Sequence, residues 1–197
     1  MVEGHVLRAL LTPEAQRSSL FNLHEVVHGI TGPGFLFGAG FAFAIATQRR
    51  WELLLSFTPA FWRRAGRMVL LVGIGYALHI PFFSLKKMLE QSTPEQWTAF
   101  FSFDVLQCIG LTLLGLRLLL VLLRSETFFV RVVIALLVFF VYSTPFFWSK
   151  ELSDRLPDFV AMGLNGLGAS PYPLFPNSAF VLAGTVMAWR FLRCAQE

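Results

Sequence analysis

Charge and cysteine are the two things this sequence is short of. Lys and Arg total 16 and Asp and Glu 12 of 197 residues, or 14%, against about 25% in an ordinary soluble domain. So little charge cannot cover the surface of a water-soluble protein this size. The formal net charge of +4 is split into short clusters between apolar runs. No continuous basic face is available to track phosphates, and nucleic acid is not an expected partner. The two cysteines, Cys108 and Cys194, fall in separate apolar segments and build neither a disulfide framework nor a metal cage; both read as packing residues. Met1 to His5 contains Glu3 and no basic stretch ahead of an apolar run, so no cleavable signal peptide is expected. Solenoid repeats and low-complexity tracts are missing too, which makes residues 1–197 a single domain.

What is abundant is apolar surface. Apolar residues make up 55% of the chain, 22 of them Phe, and mean hydropathy is +0.62. A hydrocarbon layer of about 30 Å takes roughly 20 apolar residues of helix. Five stretches meet or approach that length, near 27–47, 66–84, 103–123, 128–148 and 175–193. The expected class is an all-α integral membrane protein, a polytopic bundle of about five transmembrane helices in the cell (inner) membrane behind an outer lead of residues 1–26. The linker 48–67 holds Arg49, Arg50, Arg63, Arg64 and Arg67 against Glu52 alone. It therefore belongs on the cytoplasmic side, which puts residues 1–25, 85–97 and 149–174 outside.

Several motifs stand out. Gly29, Gly32, Gly34, Gly38 and Gly40 surround Pro33 in the first helix. Gly34 and Gly38 form a small-xxx-small pair for close helix packing, and a break near Pro33 would open the helix beside a cavity. His24-Glu25-Val26-Val27-His28 has the H-E-x-x-H spacing that presents two imidazoles to zinc with a Glu as base. A third ligand is missing and glycines follow at once, so a membrane zinc peptidase is an alternative reading, beside histidines that merely hydrogen-bond at the membrane surface. A non-catalytic membrane module or transporter is a further alternative. His79-Ile-Pro81 should kink the outer end of the second helix, and its lone histidine reads as structural. Asp104 at the outer end of the third helix is either functional or simply solvated.

Three segments occur in a telling order: His24 to Phe43, Asp104-Val-Leu-Gln-Cys-Ile-Gly110, and Pro171-Tyr-Pro-Leu-Phe-Pro-Asn-Ser-Ala-Phe-Val-Leu-Ala-Gly184. Together they resemble the catalytic domain of heparan-alpha-glucosaminide N-acetyltransferase and its bacterial relatives, allied to the acyltransferase-3 membrane proteins. The resemblance implies a membrane-embedded acyltransferase. It would move an acyl group, acetyl by family default, from acetyl-CoA or another acyl-CoA to an amino or hydroxyl group of a sugar or envelope glycan on the non-cytoplasmic side. No metal is implied. The family histidine corresponds by spacing to His24, with His28 and His5 ranked behind it as catalytic candidates. A neutral imidazole suits removal of a proton from the attacking group at neutral pH. Polar groups for substrate or oxyanion are Asp104, Gln107 and Asn177. For the cofactor, Arg117, Arg64 and Arg67 would meet coenzyme A phosphates; by default Arg117 reads as snorkelling to the interface and the linker cluster as a topology signal. Relatives carry an additional helix with an Asp, Arg and Gly signature upstream of Met1 and further helices after Gly184, and often a Trp where Asn177 stands. The resemblance thus implies a chain shortened at both ends, with a homo-oligomer as one way to complete its walls.

Overall fold

The computed structural model describes residue 6 and residues 10–150, 154–166 and 170–194. Among them every regular element is helical. The helices are α1 (Pro13–Gln16), α2 (Ser19–Gln48), α3 (Pro59–Leu78), α4 (Leu85–Gln91), α5 (Pro94–Phe101), α6 (Val105–Leu123), α7 (Glu126–Tyr142), α8 (Thr144–Phe147), α9 (Asp158–Leu164) and α10 (Leu174–Cys194).

Local chemistry accounts for the boundaries. Ser18 accepts from the Phe21 amide at 3.2 Å and starts α2, eight residues before the apolar run. Thr58 accepts from Phe61 N and Pro59 opens α3, where a missing amide hydrogen costs nothing. Arg63, Arg64 and Arg67 are therefore inside a helix rather than in a linker. α3 ends at Leu78 instead of kinking on to residue 84, because Pro81 disfavours helical geometry at Ile80. α6 begins with a capping box: Asp104 accepts from Val105 N at 2.6 Å, and Gln107 Oε1 accepts from Asp104 N at 3.2 Å. α7 stops at Tyr142, short of the expected 148, where the Ser143 hydroxyl bonds back to Phe139 O.

The expected break at Pro33 does not occur. α2 is helical throughout, about 45 Å at 1.5 Å per residue, although Pro33 cannot donate to the Gly29 carbonyl. Burial in α2 begins at Gly32 and follows one face through Leu36, Gly40, Phe43, Ala44 and Thr47. The turns carrying His24 and His28 precede that buried face.

α10 is the centre of the bundle, packed on α2, α7 and α6, while α3 packs on α6. Glycine makes the closest crossings possible, though not at Gly34 and Gly38. Both of those face open space. A Cβ on Gly40 would strike the Val181 carbonyl, and one on Gly184 the Phe37 carbonyl, so α2 and α10 meet backbone to backbone. Thr185 seals this crossing, donating within bonding distance of both Gly40 O (3.2 Å) and Val181 O (2.9 Å). The α3–α6 seam works similarly: the Gln107 side chain fills the space over Gly75, and Val72 and Met68 close over Gly110.

Buried positions include Thr47, Gln107, Arg117, Ser178 and Thr185, whereas Leu70, Leu122, Phe128 and Met187 are exposed on the circumference. Polar groups inside and apolar groups outside is the distribution a bilayer rewards. By length and apolarity two helices are able to cross a membrane, α2 and α6. Of the cysteines, Cys108 packs in the core as expected, but Cys194 is exposed.

The crossings predict a contrast. Gly40→Ala or Gly184→Ala forces two backbones apart and should lower stability by about 1–3 kcal/mol, seen as a lower Tm in detergent. Gly34→Ala meets nothing and should leave Tm unchanged or raise it slightly.

Candidate active site at two ends of the bundle

One end of the bundle is defined by Arg117. Its position 13 residues after Asp104 carries it most of the way along α6, and Phe61, one turn into α3, lies beneath it with the guanidinium carbon 5.1 Å from the ring centroid. Such stacking is worth about 0.5–2 kcal/mol, far less than burying a charge costs. Arg117 is 1% exposed, and its Nε, Nη1 and Nη2 have no hydrogen-bond partner. It does not snorkel. The side chain lines a cavity of about 300 Å³ together with Arg64 and Arg67 from α3 and Thr47 from the end of α2. The three arginines singled out in the sequence thus share one space, and among the described residues no carboxylate lines it. Three cations around a void form a receptor for an anion with several oxygens.

The opposite end is defined by Asp104 and Gln107. The capping box directs Oδ1 of Asp104 to the backbone and leaves Oδ2 facing His79, 4.0 Å from its Nε2. Both side chains are partly open, 25% exposed for His79 and 37% for Asp104. Gln107 is fully buried one turn further in. Its Oε1 is used by the cap, but its Nε2 has no partner, and neither has Nδ1 of His79. Three residues before Asp104, Phe101 borders a cleft of about 370 Å³ that is also lined by Trp97, Asp158 and Phe159.

The remaining candidates lie apart from this pair. His24 and His28 are one helical turn apart on α2, with ring centroids 5.9 Å from one another. His24 borders an open apolar cavity of about 540 Å³ with Leu11, Phe21 and Val27, and its Nε2 is buried without a partner. Among the described residues no three His, Cys, Asp or Glu side chains converge on a metal-sized site. Asn177 donates from Nδ2 to Pro173 O at 2.8 Å and makes no hydrogen bond with Asp104 or Gln107 among the described residues. His5 lies outside the described residues. The sequence reading set His79 aside as structural. No local pattern links it to Asp104, since the two are brought together only by the antiparallel return of α3 and α6.

Comparison with known proteins gives one positive result. The family model for the heparan-alpha-glucosaminide N-acetyltransferase catalytic domain matches residues 1–197. No curated protein and no solved structure matches the chain. With its motifs in family order and the match running over all 197 residues, this chain belongs to the heparan-alpha-glucosaminide N-acetyltransferase catalytic-domain family.

Proposed function

We propose that the protein is a multi-pass membrane acetyltransferase that takes its acetyl group from acetyl-CoA at the arginine-lined end and delivers it to an amino or hydroxyl group of a sugar or envelope glycan at the other. The observation that carries this reading is the buried, unpartnered guanidinium of Arg117 in a cavity with Arg64 and Arg67, in a chain of this acetyltransferase family. Coenzyme A carries a pyrophosphate and a 3′-phosphate, which suits that concentration of cation. The topology that goes with it places the Arg-rich segment 48–67 in the cytoplasm, where acetyl-CoA is available, and residues 1–25 outside.

Transfer requires the acceptor nitrogen or oxygen to attack the thioester carbonyl, a base to receive its proton, and donors to hold the oxyanion. His24 is the candidate base by its match to the family histidine, with His28 beside it and His5 upstream. Gln107 has a free amide donor at membrane depth, and Asp104 and Asn177 are acceptor-side polar groups. A covalent route through an acylated histidine and a direct transfer both fit these residues. Lipid surrounds the bundle, and a second copy would cover walls that one chain leaves open.

Membranes holding the protein should transfer radiolabelled acetyl from acetyl-CoA to glucosamine or a simple glycan. Arg64→Ala and Arg67→Ala should raise KM for acetyl-CoA about tenfold each, the worth of one charge-assisted contact, with less effect on kcat. Absence of transfer above membranes lacking the protein would defeat the reading.

Arg117 allows a second check. In the empty protein its charge lies buried without a counter-ion, so Arg117→Met, which keeps the volume and removes the charge, should leave stability equal or higher by about 1–4 kcal/mol. The same variant should lose the rise in Tm that coenzyme A gives the unsubstituted protein. A large drop in Tm for Arg117→Met would show that the guanidinium is structural.

A further inference from the structure

The cleft beside Phe101 is walled by aromatic rings and carries a carboxylate. α5 begins with a capping box, the Gln96 amide donating to Thr93 Oγ1 and the Thr93 amide to Gln96 Oε1, which fixes the turns that follow. Trp97 and Phe101 are four residues apart and share one face of that helix. Their ring centroids are 6.0 Å apart and their planes within 26° of parallel. Phe159, on the α9 helix that packs against α5, approaches Phe101 at 6.1 Å between centroids and is 56% exposed. Asp158 and Thr98 add oxygens to the same walls, and among the described residues no Lys, Arg or His lines them. Thr98 donates to Pro94 O at 3.0 Å, leaving its oxygen free to accept. The Asp158 carboxylate and the Trp97 indole N–H take part in no hydrogen bond or ion pair among the described residues.

Resting on the acetyltransferase reading, we propose that this cleft is a glycan subsite for the acceptor, holding one uncharged or amino sugar ring against Trp97, Phe101 and Phe159. The flat faces of a sugar ring carry C–H bonds, which suit aromatic faces. Its rim carries hydroxyls, which suit a carboxylate, an indole N–H and a threonine oxygen. At about 370 Å³ the cleft is at the small end of ligand sites, roughly 300–1,000 Å³, and matches a single ring. A carboxylate with no cation beside it repels uronates, sulfates and phosphates, so acidic glycans are disfavoured. Rings that only anchor a protein at a membrane interface need neither a facing wall nor a carboxylate between them. Contacts tie the cleft to the histidine end of α2. A Cβ on Gly163, next to Met162 in the cleft wall, would meet the Phe103 ring at 3.6 Å, and Tyr172 N donates to Phe103 O at 3.1 Å. The Tyr172 ring in turn covers Gly32, which is about one turn from His28 and two from His24. Thr47, at the other end of α2, lines the arginine cavity. Acceptor subsite and candidate base thus share one end of the bundle, with the donor's phosphates at the other. The cleft binds and positions; His24 remains the base.

The test compares Phe159→Ala and Asp158→Asn with the unsubstituted full-length protein. Calorimetry measures binding of the trisaccharides of glucosamine, N-acetylglucosamine and galacturonate, and acetyl transfer is followed with the glucosamine trisaccharide as acceptor. Both positions are exposed, so neither substitution should move Tm. The expected result is binding of the amino and uncharged trisaccharides and none of the galacturonate. Each variant should weaken that binding and raise acceptor KM about tenfold, with coenzyme A affinity unchanged. Unaltered sugar affinity and KM in both variants, or galacturonate binding as tightly as the uncharged sugar, overturns the subsite and leaves the acetyltransferase reading standing. Sugar binding that the variants weaken, in a protein that transfers no acetyl, overturns the acetyltransferase reading and keeps the cleft as a sugar site. Absence of both sugar binding and transfer overturns both.

Discussion

A guanidinium buried to 1% exposure with all three nitrogens unpartnered is costly to hold, and much of its half of the bundle is arranged around it. α2 ends beside it at Thr47, α3 begins beside it with Arg64 and Arg67, and Phe61 supplies its one attractive contact. A carboxylate at any of these positions would neutralise the charge and close the cavity. Among the described residues no carboxylate lines the cavity, and under the proposed function its charge is left for the phosphates of the donor. The same end is fixed from behind by Trp189, whose indole donates to Glu126 at 2.6 Å while Arg193 approaches that carboxylate at 3.4 Å. Negative charge is thus present nearby, held by other partners.

Holding such a charge inside requires helices that do not shift. The crossings at Gly40 and Gly184 let α2 and α10 touch through their backbones, and Thr185 bonds across the contact. Between α3 and α6, Gly110 lies against Met68 O and Val72, and Gly75 makes room for the Gln107 side chain. The second seam also relates the two ends of the site, because one side of it runs from Arg64 to His79 and the other from Asp104 to Arg117. Their separation is set by helix rise alone.

Much of this was legible in the sequence, and the reasons differ from residue to residue. Apolar runs located the five long helices, but capping chemistry at Ser18, Thr58 and Asp104 decided where they begin, and hydropathy does not see caps. That is why α3 was expected at 66 and starts at Pro59, with its arginines inside. Gly34 and Gly38 had the right spacing for packing, yet spacing does not say which face of a helix turns inward; Gly40 and Gly184 do that work from distant parts of the chain. Arg64, Arg67 and Arg117 were recognisable as phosphate candidates by residue type, while their convergence is a tertiary fact. Asp104 read as either functional or solvated, and the histidine 4.0 Å from it is His79, which looked like punctuation before Pro81.

The most direct test of the account is a calorimetric titration of the purified protein with coenzyme A, dephospho-coenzyme A and pantetheine. If the three arginines hold the phosphates, affinity falls stepwise across that series and weakens as salt is raised. Pantetheine binding as tightly as coenzyme A, or coenzyme A failing to bind, would contradict the claim that the cavity around Arg117 receives the donor.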